Sequence, residues 1–307
     1  MIKLITIILS MFIASQAMAI TAVYNLNRDA VNISYKNKMQ RVTIEVLNSR
    51  NVLMEVFSTS FNRVWLKAKY INPGKKYRIN LYVGEKLKEY TYYTFIAPAA
   101  PAVIGRLSTE IAAGRTGYYY LPTGYNLRPM PLMISFHGTG WDGMDMIDIF
   151  SDMAEQYGFI IVAPDSNGAR PEWEVPGIPY ISDNYIHTRD CVDEVEALPK
   201  VRIDSNHVLS SGFSGGAWMA GYYGSTNMTI KQMAVLHGGV YEGGFGSNRP
   251  RAWFSCGSND HICNCYLVKL AHDASVVLGF QTVTSTFDSA HEEISAEKNA
   301  LVQWWLQ

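Results

Sequence analysis

One serine lies between two glycines at the point where an apolar stretch ends and a helix-like segment begins. In the segment 208–220, which reads VLSSGFSGGAWMA, Gly212 and Gly216 stand two residues before and two residues after Ser214. Glycine suits both positions of a sharp strand-to-helix turn, because a side chain there would collide with neighbouring backbone. Such a turn lifts a hydroxyl clear of the sheet, so Ser214 is the candidate nucleophile.

A serine hydroxyl is a poor nucleophile at neutral pH, so it needs a base that is itself oriented by a carboxylate. Asp260 follows one apolar, strand-like stretch and His291 follows another. Imidazole titrates near neutrality, which makes His291 the candidate base and Asp260 the candidate orienting acid. The order serine, acid, histidine along the chain resembles that of α/β-hydrolases.

Attack of a serine on a carbonyl group creates a negatively charged oxygen, which needs donors already aimed at it. The backbone N–H of Gly215, directly after the serine, is one candidate donor. The other is the backbone N–H of Thr139, in the turn His137-Gly138-Thr139-Gly140 that follows an apolar stretch. We interpret His137 as a structural residue of this turn.

Two tryptophans are candidate substrate-binding residues. Trp141 stands next to the predicted oxyanion turn, and Trp173 lies with Pro176 and Tyr180 in a segment, residues 166–187, that could roof the site. Aromatic faces bind sugar rings, phenolics or polyester chains. The alternative is that these aromatics pack the loop onto the sheet.

Other histidines and carboxylates compete for the same roles. His261 is only one residue from Asp260, which prevents both from serving Ser214 in the same way. Asp193 and Asp288 are the alternative carboxylates, although Asp288 is too close in sequence to His291 to reach its far nitrogen comfortably. Histidines within strand or helix patterns are interpreted as structural: His207, His237 and His272.

From about Arg115 onward, apolar strands alternate with longer helical patterns, which is typical of a mostly parallel sheet covered by helices on both faces. In such sheets the functional groups gather beyond the carboxyl ends of the strands. Strands are predicted at 118–121, 132–136, 159–164, 207–211, 231–236, 252–256 and 281–287, and helices at 144–157, 191–198, 265–278 and 292–304.

Residues 23–95 instead alternate apolar and polar side chains in short segments, which predicts a small all-β sandwich. The turn Asn72-Pro73-Gly74 and its flanks resemble a turn of fibronectin type III domains. The predicted organisation is a β-sandwich domain at 20–97, a proline- and alanine-rich linker at 98–105 and an α/β-hydrolase domain at 106–307.

The overall charge argues against nucleic-acid binding. Lysine and arginine number 26 and aspartate and glutamate 27 among 307 residues, so no strong positive field exists. No cofactor is expected. The composition does not predict an oligomeric state.

The N-terminus predicts export. Lys3 precedes an apolar run of signal-peptide length, and Ala17-Met18-Ala19 resembles a cleavage site, so residues 1–19 are predicted to be removed. The run is shorter than the ~20 residues that span a bilayer, so no stable membrane insertion is expected after cleavage. The protein is expected to be secreted or periplasmic.

The chain contains four cysteines: Cys191, Cys256, Cys263 and Cys265. An exported chain meets an oxidising compartment, so one or two disulfides are expected, and four cysteines allow three connectivities. A bridge from Cys191 to Cys263 or Cys265 would hold the roofing loop near the acid strand. A metal site is not predicted, because Cys263 and Cys265 lack the spacing of structural zinc sites.

From about Arg106 to Gln307 the chain resembles the extracellular polyhydroxybutyrate-depolymerase and feruloyl-esterase-like branch of α/β-hydrolases. The motifs that carry the resemblance are the His-Gly turn, Val162-Ala163-Pro164-Asp165, the helix from Cys191 to Val195, the Ile203 strand entry and the serine turn. The chain departs from that branch at Gly215, where a larger polar residue is usual.

The resemblance implies a secreted carboxylic ester hydrolase that acts through an acyl-enzyme on polyester or plant-wall esters. Its substrate could then be polymeric, with feruloyl, acetyl or hydroxybutyrate groups as candidates. Two other functions remain open at this point. One is a non-catalytic surface binding protein on the same fold, and the other is a serine peptidase.

Overall fold

Residues 20–25, 30–35, 41–59, 63–67, 75–94, 99–167, 172–174, 181–238 and 245–307 are described by the computed structural model. They fall into two units, Met1–Ala99 and Ala100–Gln307. The predicted signal segment 1–19, the turn Asn72-Pro73-Gly74, Pro176 and Tyr180 lie outside the described residues.

The first unit contains two antiparallel sheets. One has the strand order β1-β2-β5, and the other has the order β4-β3-β6-β7. The strands are β1 (Thr21–Asn25), β2 (Ala30–Ser34), β3 (Val42–Leu47), β4 (Leu53–Thr59), β5 (Arg63–Lys67), β6 (Lys76–Val83) and β7 (Lys86–Thr94).

Each sheet of this unit has one buried face, as alternating side chains predict. In β3 the buried side chains are Val42, Ile44 and Val46, and in β2 they include Val31 and Ile33. The antiparallel, all-β character predicted for this part of the chain is therefore confirmed.

The second unit is built on an eight-stranded sheet with the order β15-β14-β13-β12-β10-β11-β9-β8. The six strands from β15 to β11 in this order pair in parallel, whereas β9 pairs antiparallel with both β11 and β8. The strands are β8 (Val103–Arg106), β9 (Gly117–Leu121), β10 (Met130–Phe136), β11 (Ile160–Pro164), β12 (Ile203–Phe213), β13 (Gln232–Leu236), β14 (Arg251–Gly257) and β15 (Thr282–Phe287).

In the described part of this unit, five helices cover the sheet on both faces: α1 (Gly143–Tyr157), α2 (Asp183–Glu196), α3 (Gly215–Thr226), α4 (Cys265–Val277) and α5 (Ser295–Trp305). Helices α1 and α5 share one apolar cluster with alternate strand residues such as Met133 and Ile161. Their neighbours Leu132 and Ile160 belong to the opposite cluster, with α2 and α3. Successive side chains along each strand therefore point into opposite cores. The predicted mostly parallel sheet, covered by helices on both faces, is confirmed.

Some element boundaries differ from the sequence-based ones. Residues 103–105, predicted from sequence to belong to the linker, are part of strand β8, because Val103 to Arg106 pair with β9. Helix α2 begins at Asp183 rather than at 191, since the side chain of Ser182 caps its first turn. Within the described residues, no helix has both the length and the apolar character needed to cross a membrane.

The disulfide differs from the bridge suggested by the sequence. Cys256 at the end of β14 is bonded to Cys265 at the start of α4, with 5.3 Å between their Cα atoms. Cys191 and Cys263 are free. The proposed bridge from Cys191 is wrong because Cys191 is buried in the α2 and α3 cluster, whereas Cys256 and Cys265 lie in a separate cluster with α4.

Candidate active site

Ser214 occupies a strained turn between β12, near the middle of the sheet, and α3. Its φ and ψ are 53° and −117°, a combination that side chains other than glycine rarely adopt. A Cβ atom on Gly212 would stand 2.1 Å from the carbonyl oxygen of Gly216, and one on Gly216 would stand 2.2 Å from that of Phe136. The glycines therefore let the turn pack this closely, and the serine is left half-buried above the sheet.

The three side chains predicted to act together lie in one chain of hydrogen bonds. Ser214 Oγ is 2.8 Å from His291 Nε2, and His291 Nδ1 is 2.7 Å from Asp260 Oδ2. Asp260 follows β14 and His291 follows β15, while Ser214 follows β12. Parallel strands bring their carboxyl ends to one edge, so residues up to 77 positions apart meet there.

Asp260 is buried, and several hydrogen-bond donors surround its carboxylate. Its Oδ1 accepts the backbone N–H groups of Ile262 at 2.9 Å and Cys263 at 2.8 Å. Burial alone would raise the pKa of Asp260, but these donors and two histidines outweigh burial and lower the pKa to about 2. The carboxylate is thus ionised at neutral pH, as an acceptor for the His291 Nδ1–H must be.

The turn at residues 138–141 lies against the serine. The backbone nitrogen of Thr139 is 3.3 Å, and its Oγ1 only 2.5 Å, from where a Cβ atom on Gly215 would stand. Gly215 is also the first residue of α3. The free backbone N–H groups at the N-terminus of a helix stabilise a nearby negative charge. The two backbone donors predicted from sequence, on Thr139 and Gly215, are thereby neighbours beside Ser214.

His137 holds this turn in place through two hydrogen bonds. Its Nδ1–H donates to the carbonyl oxygen of Gly138 at 2.8 Å, and its Nε2 accepts the backbone N–H of Ser166 at 3.0 Å. Burial lowers the pKa of His137, which favours the neutral ring that these two bonds require. The structural interpretation of His137 agrees with these contacts.

The two tryptophans have different surroundings. The Nε1–H of Trp173 donates to the carbonyl oxygen of His137 at 2.8 Å, and its ring packs edge-on against Phe136. Trp141 is 37% exposed, and its ring stacks on Phe213 with 5.2 Å between centroids. Trp173 thus supports the oxyanion turn, while Trp141 offers a ring face to solvent beside the serine.

Two residues that sequence reasoning did not place in the site, His237 and Glu297, are buried next to Asp260. His237 Nδ1 is 2.9 Å from Asp260 Oδ2, and His237 Nε2 is 3.1 Å from Glu297 Oε2. The sequence signal for His237 was its position one residue beyond a strand, at the same sheet edge as the other site residues. Glu297 carried no such signal, because it lies within α5.

The competing residues lie elsewhere. His207 pairs with Asp204, and His272 pairs with Asp273. His261 is exposed, as is Asp193 on α2, and Asp288 accepts the side-chain amide of Asn259. None of these five has a hydrogen bond to Ser214 or His291 among the contacts of the described residues.

Three side chains in the described part of the chain lie close enough to share a cation: His237, Asp260 and His291, whose donor atoms are within 4.8 Å of one another. These same atoms make the hydrogen bonds described above, with the two histidine Nδ1 atoms both directed at Asp260 Oδ2. The three residues therefore form an open chain of hydrogen bonds that continues through His291 to Ser214.

The sheet order, the flanking helices and the serine turn together define an α/β-hydrolase fold. No family profile matches the chain. Among solved structures, the chain is similar to the acetyl xylan esterase from Aspergillus awamori, with a TM-score of 0.51 and 18% identity. This likeness covers 66% of the chain and 98% of that structure.

Acetylxylan esterases also occur among the relatives in sequence. The chain is 29% identical over 154 residues to acetylxylan esterase A from Aspergillus awamori, which covers 47% of the chain and 50% of the relative. It is 27% identical over 166 residues to a probable acetylxylan esterase A from Aspergillus niger, which covers 50% of the chain and 54% of the relative. The chain thus spans about half the length of these curated relatives.

Proposed function

We propose that the chain is a carboxylic ester hydrolase in which Ser214 is the nucleophile, His291 the general base and Asp260 the orienting acid. The observation that carries the proposal is the continuous hydrogen-bond chain from Ser214 Oγ through His291 to Asp260, with distances of 2.8 and 2.7 Å. Similarity to curated acetylxylan esterases and to the solved one supports the same class of reaction.

The proposed reaction has two halves. His291 Nε2 takes the hydroxyl proton as Ser214 Oγ attacks the ester carbonyl, and the N–H groups of Gly215 and Thr139 stabilise the oxyanion. His291 then gives that proton to the departing alcohol, leaving an acyl-serine. Water, deprotonated by His291, attacks the acyl group in the same way, and the acid leaves as Ser214 regains its proton.

The proposed substrate class is an acetyl ester on a polymeric sugar. The similarity to acetylxylan esterases supports the acetyl group and the sugar. The exposed face of Trp141, beside the serine, is suited to stacking on a sugar ring. Feruloyl esters and hydroxybutyrate oligomers, which the sequence resemblance implies, are the competing substrates.

The test is a panel of esters with matched amides, assayed on the wild-type chain and on Ser214→Ala. The proposal expects turnover of acetyl-sugar esters, at least a thousandfold loss in Ser214→Ala, and labelling of the wild type alone by a fluorophosphonate probe. Absence of labelling would favour the non-catalytic binding protein. Faster cleavage of an amide than of its matched ester would favour the peptidase.

Two further proposals concern the rest of the chain. The first unit is proposed to be fibronectin type III-like, which is supported by its sheets of three and four antiparallel strands. Export is proposed from the signal segment 1–19. Mass spectrometry of the protein recovered from the culture medium or periplasm would then give an N-terminus at Ile20, and an intact Met1 would contradict cleavage.

A further inference from the structure

His237 lies fully buried between two carboxylates. It is the first residue after β13, and both of its ring nitrogens are occupied: Nδ1 by Asp260 Oδ2 at 2.9 Å and Nε2 by Glu297 Oε2 at 3.1 Å. Glu297, in the first turn of α5, is 1% exposed. Within the described residues, the hydrogen-bond chain that begins at Ser214 thus continues past Asp260 to His237 and Glu297.

The hydrogen-bond chemistry of this chain constrains its protons. A neutral imidazole has a single N–H donor and ionised carboxylates only accept, so both nitrogens of His237 carry hydrogen when Asp260 and Glu297 are both ionised. Burial lowers the pKa of His237, but the hydrogen bonds and charges of Glu297 and Asp260 outweigh burial and raise it. The two carboxylates thus favour a buried imidazolium at His237.

The backbone at His237 is strained, which indicates that the surrounding structure fixes the position of its ring. His237 has φ of 49°, in the left-handed region that a histidine adopts only where its surroundings require it. Its backbone N–H donates to the carbonyl oxygen of Ser255 on β14. The next residue, Gly238, packs so closely behind the serine turn that a Cβ atom there would stand 2.2 Å from Ala217 Cβ.

Both histidines meet Asp260 at one oxygen, Oδ2, while Oδ1 is held by two backbone N–H groups. The ring centroids of His237 and His291 are 5.7 Å apart. When His291 takes the proton of Ser214, two positive rings flank one carboxylate. A positive charge on His237 acts against a second positive charge on His291, because both rings meet the same carboxylate oxygen of Asp260.

We propose that His237 is a positioning residue that acts through Asp260, and that Glu297 holds it as an imidazolium, so that the pair sets the acidic limit of the esterase. This inference rests on the proposed function of Ser214, His291 and Asp260. The other titratable groups near the pair are Glu293, which interacts electrostatically with Glu297, and Lys298, which donates to the carbonyl oxygen of Ile149.

The decisive variant is Glu297→Gln, because a glutamine amide can donate to His237 Nε2 while Nδ1–H still donates to Asp260. The substitution keeps both hydrogen bonds of the His237 ring and removes only the negative charge of Glu297 that stabilises the imidazolium. The acidic limb of the kcat/KM profile is expected to move to higher pH by about half a unit or more.

A second variant, His237→Asn, removes the ring while suiting the left-handed backbone, since asparagine tolerates that region. It keeps one possible donor toward Asp260 but leaves Glu297 without its partner. We expect kcat to fall about tenfold or more with KM little changed, because Asp260 loses orientation and not substrate contact. Should this variant fail to fold, Glu297→Gln still decides the matter.

The matched control is Glu292→Gln, which makes the same charge change on an exposed side chain near the start of α5. Its acidic limb should coincide with that of the wild type. If the limb of Glu297→Gln also coincides with the wild type, or if it moves to lower pH, the proposed role of the pair is overturned.

A measurement without substrate separates this inference from the proposed function. Nitrogen-15 NMR of the wild-type chain at neutral pH should show both ring nitrogens of His237 protonated, and Glu297→Gln should leave one of them bare. A neutral His237 in the wild type would overturn the inference even if the esterase is active. An inactive, unlabelled wild type would overturn the proposed function, while the NMR result still reports on the imidazolium.

Discussion

At the scale of single residues, the site depends on close backbone contacts around Ser214. Strained, left-handed dihedrals are found at two non-glycine residues of this sheet edge, Ser214 and His237. Such conformations cost about 1–3 kcal/mol each and persist only where the surrounding structure requires them. Both residues follow strands that meet at the candidate site, so the strain is concentrated where the side chains are positioned.

Gly215 is the residue where a single methyl group should be most informative. In Gly215→Ala the new Cβ would stand 2.5 Å from Thr139 Oγ1 and 3.3 Å from the Thr139 backbone nitrogen, so the Thr139 side chain must rotate or the turn must shift. We expect kcat to fall about tenfold to a thousandfold, because one aligned donor is displaced, with KM changed much less. Steady-state kinetics on an activated acetyl ester measure both constants.

A second substitution tests whether the Thr139 side chain causes that loss. The double variant Gly215→Ala/Thr139→Ala removes the colliding oxygen, so it should recover at least part of the lost kcat. Thr139→Ala alone, which keeps the backbone N–H, is the control. A double variant as slow as Gly215→Ala would show that the methyl group acts in another way.

Sequence reasoning reached the individual side chains that follow strands. Ser214, Asp260 and His291 could be assigned because each stands just after an apolar stretch, and parallel strands bring such positions together. Glu297 could not be found in this way, since it reaches the site from within a helix, where its pattern is that of any first-turn acidic residue. His237 also stands just after an apolar strand, as Ser214, Asp260 and His291 do, but a histidine within a strand pattern is interpreted from sequence as structural.

At the scale of elements, the residues leading into α5 carry an unusual carboxyl group. Both carboxylate oxygens of Glu293 are buried without a hydrogen-bond partner. Burial, together with the nearby charge of Glu297, raises the pKa of Glu293 to about 8. The folded chain therefore keeps a proton that the unfolded chain releases, so the free energy of unfolding falls as pH rises from about 4.5 to 8.

Glu293→Gln should remove that pH dependence. Relative to wild type, its free energy of unfolding should rise with pH across this window, with a difference of more than about 1 kcal/mol between pH 5 and pH 8. Urea unfolding at several pH values measures the difference. Glu292→Gln, on the exposed neighbour, should show no comparable slope, and parallel wild-type and Glu293→Gln curves would contradict the buried, protonated carboxyl.

The disulfide between Cys256 and Cys265 links the end of β14 to the start of α4, with Asp260 in the closed loop. A loop of this size is expected to contribute about 2–3 kcal/mol by restricting the unfolded chain. Replacing both cysteines by alanine should therefore lower the free energy of unfolding by about that amount. Cys263→Ala, at the free thiol in the same loop, is the control and should cost less.

Boundaries were harder to predict than elements. The sheet strands after residue 115 were found because continuous apolar runs mark buried parallel strands. Edge strand β8 was assigned to the linker because its four residues are too few for a period to be recognised. Helix α2 starts earlier than predicted because its cap, Ser182, follows a stretch whose aromatic residues suggested a loop.

At the scale of the whole molecule, the chain consists of two units with separate sheets. The triad, both proposed oxyanion donors and the His237 pair belong to Ala100–Gln307. We expect this fragment to fold alone and to hydrolyse a small soluble ester with a kcat/KM within about threefold of the full chain. A fragment that is insoluble or shows no cooperative thermal transition would contradict this independence.

The way His137 secures the oxyanion turn has a consequence for how such a protein can diversify. Two hydrogen bonds hold His137 itself, one from the backbone N–H of Ser166 and one from the indole N–H of Trp173. If Trp141 stacks on the substrate as proposed, substitutions of its ring should alter which substrate is preferred while the bonds from Ser166 and Trp173 to His137 stay in place. In the proposed site, substrate preference and the alignment of the oxyanion donors therefore depend on different contacts.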